Sequence, residues 1–424
     1  MNIKSLCIIG MGYIGLPTAS IFASKGLQVT GMDINANIIE LLQAGQLHIF
    51  EPGLRGLFLD AVKSQRLSVS TEVVPADAFI IAVPTPFYED KRADMRAVVA
   101  ATESILPHLQ PGNLVILEST SPPRTTTDLV APILEKTGMK AGEDFLLVYS
   151  PERVLPGQIL RELVSNARVI GGVNRASAEA GRDLYRRIVS GEIILTDATT
   201  AELVKLMENT YRDINIAIAN EFSRVAQVMD VDVWEAIDIA NLHPRVEILK
   251  PGLGVGGHCI GVDPWFLVEA VPEQAQLIKK AREINDDQST FVANLIEEAA
   301  GGLKGKKVAF LGLAFKPNVD DLRESPAVKV AHQLLDLGAQ VKAYEPFHLE
   351  AGLPGIDQVT LLEEALMDAD LIVLAVAHNQ FKDLDPQAIR GKTAATIVFD
   401  AVRGWEKGVW EGAGFTFYGL ARNY

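Results

Sequence analysis

Cysteine is scarce in this sequence of 424 residues, which contains only Cys7 and Cys259. Two cysteines cannot form the disulfide framework of a small secreted domain, and no paired Cys or Cys/His spacing indicates a zinc site. Cys7 lies in an apolar run, as buried structural cysteines usually do. The scarcity therefore predicts a protein of a reducing compartment that has no metal site.

Positive charge and long apolar segments are lacking as well. The sequence has 39 Lys and Arg against 54 Asp and Glu, a net charge of −15. Such acidity argues against nonspecific binding to nucleic acid or an anionic membrane, although a local basic pocket can still hold a phosphorylated ligand. No apolar run approaches the roughly 20 residues that span a bilayer, and no signal-peptide pattern opens the chain. We therefore expect a soluble cytoplasmic protein with neither a nucleic-acid nor a membrane partner.

A glycine-rich turn lies near the start, in the pattern Gly10-x-Gly12-x-x-Gly15. It separates a short apolar strand from a helix, and Asp33 follows 18 positions after Gly15, at the end of a second strand. This context is typical of a dinucleotide-binding fold, in which the glycines permit a tight turn, close approach of a pyrophosphate and packing of helix on strand. A carboxylate at position 33 favours NAD over NADP, because it binds ribose hydroxyls and repels a 2′-phosphate.

Further apolar runs alternate with helical segments and end abruptly in polar residues, which is typical of buried parallel strands. Ligands of open parallel sheets bind at the carboxyl ends of the strands. Any one of these polar residues can equally be a turn or a helix cap, but their shared edge favours a functional role. The residues in question are Thr85, Thr120, Glu152 and Arg153.

A single long helix is predicted from about residue 199 to residue 229. Lys205, Asn209 and Arg212 share one face of it by helical spacing, which by itself is typical of a solvated stripe. Asn215 and Asn220 stand in an otherwise apolar stretch, so we expect part of this helix to be buried.

The last third restarts the α/β pattern near residue 307 without the full glycine fingerprint, and the basic residues Lys316 and Arg323 follow instead. This exchange suits a site for another phosphorylated ligand. We therefore predict an α/β protein with two Rossmann-like, doubly wound parallel-sheet domains joined by a central helical domain. The predicted domain boundaries are 1–197, 198–300 and 301–424.

The second cysteine lies in a glycine-rich segment, Gly254-Val255-Gly256-Gly257-His258-Cys259, and Asp263 follows four residues later. Glycines let backbone and ligand approach a thiol closely. A thiol in such a setting is typical of a nucleophile, whereas the alternative is a small residue that merely fits a tight loop.

Together these segments resemble the UDP-glucose/GDP-mannose dehydrogenase family of nucleotide-sugar 6-dehydrogenases, over essentially the whole chain. The motifs that carry the resemblance are Gly10-x-Gly12-x-x-Gly15, Pro84-Thr85-Pro86, Glu118-Ser119-Thr120, Ser150-Pro151-Glu152-Arg153, Lys205 with Asn209, Gly256-Gly257-His258-Cys259, and Phe315-Lys316 through Arg323-Glu324-Ser325. The resemblance implies an NAD-dependent enzyme that binds a UDP-sugar in its C-terminal domain and forms a homodimer or a larger homo-oligomer through its central domain.

The resemblance also implies a four-electron oxidation of a primary alcohol to a carboxylate. In the family's chemistry Lys205, or a water it orients, removes the hydroxyl proton, and Cys259 forms a thiohemiacetal and then a thioester. Lys205 and Asn209 stabilise the oxyanion. Asp263 or Glu152 positions the hydrolytic water, which Thr120 helps to hold. Alternatively Asp263 only caps a helix that begins at Pro264, and Glu152 only orients water or Lys205.

Binding residues are implied in the same way. Arg245 is expected to reach across a subunit interface. The expected cofactor contacts are Gly10, Gly12, Tyr13, Ile14, Gly15, Asp33, Thr85, Thr120 and Arg323. The expected substrate contacts are Arg153, Val154, Lys205, Asn209, Arg212, His243, Arg245, Gly256 and Lys316.

Within the family, Gly257-His258-Cys259-Ile260 followed by Val262-Asp263-Pro264 resembles the branch that oxidises UDP-N-acetylhexosamines, rather than the UDP-glucose branch. Residues 150–157 and 241–246 resemble enzymes acting on UDP-N-acetyl-D-mannosamine, whose product enters surface polysaccharides. UDP-N-acetylglucosamine and, further off, UDP-glucose are the alternative substrates. A regulator that had lost its chemistry would be expected to lack Cys259 or Lys205, and a dehydrogenase performing a single oxidation needs no thiol.

Overall fold

The computed structural model describes residues 3–257 and 259–421, so His258 lies outside the described residues. Contacts divide the chain into two compact units. The first comprises the chain up to Glu208 together with Trp265–Pro272, and the second comprises Asn209–Pro264 together with the chain from Glu273 onward. No helix within the described part of the chain combines the length and the apolar character that crossing a membrane requires.

The first unit is built on an eight-stranded sheet. Its strands are Ser5–Ile9 (β1), Gln28–Met32 (β2), Leu67–Ser70 (β3), Ala78–Ile81 (β4), Leu114–Leu117 (β5), Leu146–Tyr149 (β6), Arg168–Gly172 (β7) and Ile193–Asp197 (β8). They lie in the order β3-β2-β1-β4-β5-β6-β7-β8. Neighbouring strands are parallel except β6 and β7, which are antiparallel through Val148–Gly172 and Tyr149–Gly171. The order reverses between β1 and β4, the switch point at which doubly wound sheets bind ligands.

Successive residues of a strand point to opposite sides of a sheet. Both faces of this sheet are apolar, and helices cover each of them. Leu6 and Ile8 of β1 lie in one apolar core, and Cys7 and Ile9 lie in the other. The helices that pack there are Gly15–Ser24 (α1), Ala36–Gln43 (α2), Leu54–Lys63 (α3), Arg96–Ile105 (α4), Ala131–Leu134 (α5), Ile159–Ser165 (α6) and Arg175–Tyr185 (α7).

Four helices form the central region: Ala198–Met229 (α8), Val233–Ala240 (α9), Asp263–Ala270 (α10) and Gln276–Ala300 (α11). The 32 residues of α8 contain neither glycine nor proline, so nothing in the sequence interrupts it. The Asp232 side chain caps α9, and Gly301 ends α11 in the left-handed conformation with a φ of 64°. Asn220 is fully buried, as its apolar surroundings led us to expect.

The second unit contains a six-stranded parallel sheet. Its strands are Lys307–Leu311 (β9), Gln340–Tyr344 (β10), Asp357–Val359 (β11), Leu371–Leu374 (β12), Ile397–Asp400 (β13) and Thr416–Gly419 (β14), in the order β11-β10-β9-β12-β13-β14. The remaining helices are Pro326–Asp336 (α12), Leu362–Leu366 (α13), Asn379–Lys382 (α14), Pro386–Arg390 (α15) and Lys407–Gly412 (α16). The predicted fold class is therefore confirmed: two doubly wound sheets and a helical region that contains one long helix.

Candidate functional site

The glycine turn after β1 is built from close backbone contacts. Gly10 has a φ of +97°, and a Cβ on it would lie 2.5 Å from the carbonyl oxygen of Ala82. A Cβ on Gly15 would lie 1.8 Å from the carbonyl oxygen of Gly10, so α1 can approach β1 only because no side chain is present there. Gly12, by contrast, faces open space, since an added Cβ would meet nothing within 4 Å.

Asp33 lies at the end of β2 beside this turn, where its Oδ2 accepts a hydrogen bond from the Met11 N–H at 2.9 Å. The half-buried Tyr13 and Ile14 complete the turn, and α1 starts without a side-chain cap on its first N–H groups. Open space at Gly12, an uncapped helix N-terminus and a carboxylate at the end of the second strand fit the pyrophosphate and ribose of NAD.

The loops after β4 and β5 are tied together at the carboxyl edge of the first sheet. The Thr85 hydroxyl donates to the carbonyl oxygen of Thr120 at 2.6 Å, and the Ser119 hydroxyl donates to that of Val83 at 2.7 Å. The structure thus brings together two half-buried threonines that the resemblance assigned to the cofactor.

A carboxylate that the sequence did not single out anchors the second of these loops. Glu202 of α8 is fully buried and accepts hydrogen bonds from the N–H of Arg124 at 2.5 Å and from the N–H and hydroxyl of Thr126 at 2.7 and 2.6 Å. Burial raises the pKa of Glu202 to about 7, although these hydrogen bonds favour its ionised form. Because the buried Lys205 follows one helical turn later, the loop carrying Thr120 is attached to the stretch of α8 that carries Lys205.

Glu152, just beyond β6, is held by the buried guanidinium of Arg168. Arg168 Nη2 donates to Glu152 Oε2, while Nη1 donates to Glu118 Oε1 at 3.0 Å and to the Ser150 hydroxyl oxygen at 3.1 Å. The Tyr185 hydroxyl donates to the same Glu118 oxygen at 2.6 Å. Burial raises the pKa of the Glu118 carboxyl against the lowering effect of Arg168. The sequence did not indicate Arg168, because this residue begins a strand. Ligand-binding residues of a parallel sheet are expected at the carboxyl ends of its strands.

Arg153 lies beside Glu152 and is engaged by α8. Its Nη1 lies 2.6 Å from Glu208 Oε1, and its backbone N–H donates to Glu152 Oε1 at 2.7 Å. Val154 is half-buried and packs against the core of the first sheet. A ligand phosphate that bound Arg153 would therefore compete with Glu208 for its guanidinium.

In the second unit, the glycines before Cys259 let its loop lie directly on the segment between β9 and α12. A Cβ on Gly256 would lie 2.6 Å from Pro326 Cδ and 2.7 Å from the carbonyl oxygen of Glu324. Gly257 has a φ of +81° and donates its N–H to the carbonyl oxygen of Arg323 at 3.1 Å. Cys259 itself is half-buried, so the packing leaves part of its surface accessible.

Asp263 begins α10 and lies almost wholly buried, with 2% of its surface exposed. The N–H of Asp263 donates to the carbonyl oxygen of Cys259 at 2.9 Å, which sets the helix start directly after the thiol. Its Oδ2 accepts a hydrogen bond from Asn209 Nδ2 at 2.5 Å. The carboxylate is therefore bound to a predicted site residue on α8.

A buried polar network holds the segment that leads into the Cys259 loop. Asn220 accepts a hydrogen bond from the Gly252 N–H at 3.0 Å and donates to Asn285 Oδ1 at 2.9 Å. Asn285 in turn donates to Asp213 Oδ1 at 2.9 Å, and Asp213 forms a buried ion pair with Arg282. Buried polar side chains of α8 and α11 thus fix the position of residue 252.

The remaining predicted residues of the second unit lie in three places, after β9, after α9 and on α8. Lys316 is half-buried with its Nζ 5.5 Å from the centre of the Phe315 ring, and Arg323 forms an ion pair with Asp321 at 2.7 Å. His243 and Arg245 lie exposed and together after α9, with Arg245 Nη2 3.5 Å from His243 Nε2. The exposed Arg212 lies on α8.

Comparisons with known proteins give a consistent result. The family model described as "UDP-glucose/GDP-mannose dehydrogenase family" matches by its NAD binding domain at residues 4–189, its central domain at 199–287 and its UDP binding domain at 309–407. A UDP-N-acetyl-D-mannosamine dehydrogenase of Methanococcus maripaludis is 46% identical over 98% of this chain and 96% of its own. An NDP-N-acetyl-D-galactosaminuronic acid dehydrogenase of Ralstonia solanacearum is 44% identical over 97% of each chain. The solved structure of a UDP-D-ManNAc dehydrogenase from Pyrococcus horikoshii superposes with a TM-score of 0.92 at 39% identity, over 99% of each chain.

Gly12→Ala is expected to weaken NAD binding by roughly tenfold or more, about 1.4 kcal/mol, because its methyl group enters space that the pyrophosphate would occupy. The melting temperature should change little, since the methyl group meets no protein atom within 4 Å. Gly56→Ala in α3, where an added Cβ also meets nothing, is the matched control. Calorimetric titration and thermal unfolding measure the two quantities; unchanged affinity would contradict the proposed pyrophosphate position.

Gly256→Ala is expected to displace the Cys259 loop at a cost of about 1–3 kcal/mol of stability, because its Cβ would overlap Pro326 and Glu324. The rate at which Cys259 reacts with an alkylating reagent should change several-fold, as followed by mass spectrometry of the peptide. Gly252→Ala is the control, since a Cβ there meets nothing within 4 Å. Equal alkylation rates in the two variants would contradict the close packing.

Proposed function

Because this chain belongs to the UDP-glucose/GDP-mannose dehydrogenase family and is an NAD-dependent nucleotide-sugar dehydrogenase, we propose that it oxidises C6 of UDP-N-acetyl-D-mannosamine to the carboxylate. The product is then UDP-N-acetyl-D-mannosaminuronate. The observation that carries the proposal is a half-buried thiol in a glycine loop, followed at once by a buried carboxylate that binds Asn209. Relatives that carry the name UDP-N-acetyl-D-mannosamine dehydrogenase support the choice of sugar.

The proposed reaction removes four electrons as two hydride ions, for which bound NAD supplies the acceptors. Lys205 takes the proton of the C6 hydroxyl, directly or through a water, and together with Asn209 stabilises the negative charge on the oxygen. The Cys259 thiolate adds to the aldehyde carbon to give a thiohemiacetal, and oxidation of that adduct leaves a thioester. Thiol chemistry suits the second step, because a thioester is readily hydrolysed.

Water then releases the acid from Cys259. Glu152 and Asp263 are the two candidate groups for holding or deprotonating this water, with Thr120 as a hydrogen-bond partner. Arg168 binds the Glu152 carboxylate, and Asn209 binds that of Asp263.

The proposed cofactor contacts are Gly10, Gly12, Tyr13, Ile14, Gly15, Asp33, Thr85, Thr120 and Arg323. The proposed substrate contacts, besides Lys205 and Asn209, are Arg153, Val154, Arg212, His243, Arg245, Gly256 and Lys316. The proposed domains are 1–197 for NAD, 198–300 for catalysis and dimerisation, and 301–424 for the UDP-sugar. We place the enzyme in the cytoplasm, in the supply of acidic sugars for surface polysaccharide.

We further propose that a second copy of the chain covers an apolar stripe on α8. Large hydrophobic side chains are exposed along one face of the helix at helical spacing, namely Tyr211, Ile218, Phe222, Val225 and Met229. A stripe of this length and regularity is typical of a helix that packs against a partner. The exposed His243 and Arg245 lie beyond it in the chain, in keeping with the expectation that Arg245 reaches a neighbouring subunit.

The proposed function predicts two NADH formed per molecule of UDP-N-acetyl-D-mannosamine consumed, measured by absorbance against chromatographic quantification of the sugar nucleotide. UDP-N-acetylglucosamine, UDP-glucose and UDP-N-acetylgalactosamine are run alongside, the last because of the relative named for a galactosaminuronic acid. Two NADH with another sugar alone would keep the chemistry and correct the substrate. One NADH with every sugar would contradict the thioester route.

Cys259→Ser is expected to lower turnover by at least about a hundredfold, because a hydroxyl is a far weaker nucleophile than a thiolate near neutral pH. Cys7→Ala, which removes the other thiol, is the control. Steady-state NADH formation measures both. A Cys259→Ser variant that keeps turning over would indicate a dehydrogenase performing a single oxidation.

Phe222→Glu is expected to shift the protein from dimer to monomer, because it places a charge within the apolar stripe of α8. The matched control is Met367→Glu, on another exposed apolar side chain away from α8. Sedimentation equilibrium gives the molar mass of each variant. A wild-type monomer, or an unchanged dimer in Phe222→Glu, would contradict the assignment of the stripe.

A further inference from the structure

The second sheet reverses its strand order between β9 and β12, as the first does between β1 and β4. Doubly wound sheets bind ligands at such a reversal, in the crevice outside the carboxyl ends of the strands. In the second unit two fully buried polar side chains lie at this edge, those of Glu345 and His378. Glu345 directly follows β10, and His378 follows β12, so the pair reaches across the end of β9 from the two neighbouring strands.

The turn after β9 repeats the geometry of the turn after β1. Gly10 and Gly312 have φ values of +97° and +94°. Each donates its N–H to the carbonyl oxygen of the last residue of the second strand, at 2.7 and 3.0 Å. The next N–H along the chain binds the acidic residue that follows that strand, Asp33 at 2.9 Å in the first unit and Glu345 at 2.7 Å in the second. The two turns are equivalent up to this point.

The turns differ at the following residue. Gly12 faces open space, whereas Ala314 at the equivalent position donates its N–H to the same Glu345 oxygen at 2.9 Å. A carboxylate therefore takes the place that phosphate oxygens take at the glycine turn of a dinucleotide site. His378 Nε2 lies 3.1 Å from that carboxylate oxygen. Burial alone would raise the pKa of the Glu345 carboxyl, but the hydrogen bonds from His378 and from backbone N–H groups hold it below its ordinary value.

The other ring nitrogen of His378 holds the loop that carries Lys316. Nδ1 accepts a hydrogen bond from the Asn318 N–H at 2.8 Å, so Nε2 carries the hydrogen that Glu345 accepts. The exposed Asn318 has a φ of +61°, and its Oδ1 accepts a hydrogen bond from the Asn379 N–H at 3.0 Å. Asparagine tolerates this left-handed conformation better than most residues, and the two hydrogen bonds hold it there.

Lys316 lies between two fixed points of this loop, the N–H groups of Ala314 and Asn318. Its side chain is half-buried, and it forms no ion pair with any residue in the described part of the chain. Arg323, further along the same segment, is by contrast paired with Asp321 at 2.7 Å. The positive charge of Lys316 is therefore left for a ligand.

We propose that Glu345 and His378 are positioning residues for Lys316: they fill the crevice in which the second sheet would otherwise bind a ligand, and they fix the loop so that the Lys316 ammonium meets the phosphates of the substrate. The assignment rests on the proposed function, in which Lys316 is a substrate contact. The carboxylate closes the anion site at the sheet edge, and the imidazole ties the loop to that carboxylate. The second unit thus binds its nucleotide through a lysine on a loop rather than through a glycine turn.

The test measures the affinity of the whole protein for UDP by calorimetric titration, because the family domain matched at residues 309–407 is a UDP binding domain. His378→Gln keeps a donor near the position of Nε2 but loses the acceptor at Nδ1, so the Asn318 N–H loses its partner. UDP affinity should fall by roughly five- to tenfold, while NAD affinity stays unchanged. His378→Asn places its amide oxygen near the position of Nδ1, so its UDP affinity should stay within about twofold of the wild type.

A double-mutant cycle with Lys316→Ala shows whether His378 acts through the lysine. Lys316→Ala alone should weaken UDP binding by roughly tenfold. In that background His378→Gln should weaken binding by no more than about a further twofold, because no cation is left to position. His332→Gln on α12 is the control and should leave UDP affinity unchanged, since the Nε2 of His332 contacts only the carbonyl oxygen of Pro354 among the described residues, at 3.2 Å.

Asn379→Pro provides a second variant, should His378→Gln not fold. It removes the N–H that the Asn318 side chain accepts, and proline is tolerated there because Asn379 is the first residue of α14. It should weaken UDP binding in the same direction as His378→Gln by a smaller amount, and the cycle with Lys316→Ala applies to it in the same way.

UDP affinity that stays at the wild-type value in both His378→Gln and Asn379→Pro would overturn the inference, and so would losses that simply add to the loss in Lys316→Ala. A Lys316→Ala variant that binds UDP as tightly as the wild type would overturn it too. A purely structural role would weaken UDP binding equally in His378→Asn and His378→Gln, whether or not Lys316 is present. UDP carries no sugar and its binding involves no hydride transfer, so failure of the proposed function is seen separately, in the NADH yields of the wild type.

Discussion

Loops that leave a parallel sheet carry backbone N–H groups that no neighbouring strand can satisfy, and this protein satisfies several of them with buried or half-buried carboxylates. Asp33 binds the glycine turn, Glu202 binds the loop that carries Thr120, and Glu51 binds the N–H groups of residues 157 and 159. In the second unit Glu345 binds the turn after β9 through two N–H groups. Each carboxylate accepts hydrogen bonds that fix the shape of a loop, so the side chains on those loops keep defined positions. Without this constraint the sheet edges would present flexible chain rather than a site.

Glu345 also helps to shape the segment that the Cys259 loop contacts. The turn it holds continues into the segment on which the Cys259 loop lies, where Gly256 and Gly257 leave room for backbone contact. His378 accepts a hydrogen bond at Nδ1 from the Asn318 N–H, so its Nε2 carries the hydrogen and donates to Glu345. The Cys259 loop is therefore shaped by the α/β region that follows it in the chain.

Much of the fold could be predicted from the sequence, because apolar runs, glycine turns and an uninterrupted helix are local signals. The turn at Gly12, the extent of α8 and the repeated sheet all follow from such signals. The antiparallel pairing of β7 could not be predicted, since register between distant strands depends on contacts that no short segment encodes. Arg168 was missed for that reason. Glu202 was missed for a related one: a buried carboxylate on a helix has the same local pattern as an exposed one, and only its partners distinguish them.

Helix α8 carries two sets of side chains on opposite faces. Glu202, Lys205, Asn209, Asp213 and Asn220 fall on one face, and the apolar stripe from Tyr211 to Met229 falls on the other. At 1.5 Å per residue the helix is about 48 Å long, and each residue turns it by about 100°. Loss or gain of a single residue between 202 and 220 would thus rotate the side chains beyond it by about 100° relative to those before it. We therefore expect insertions and deletions to fall in the surface loops and not within α8.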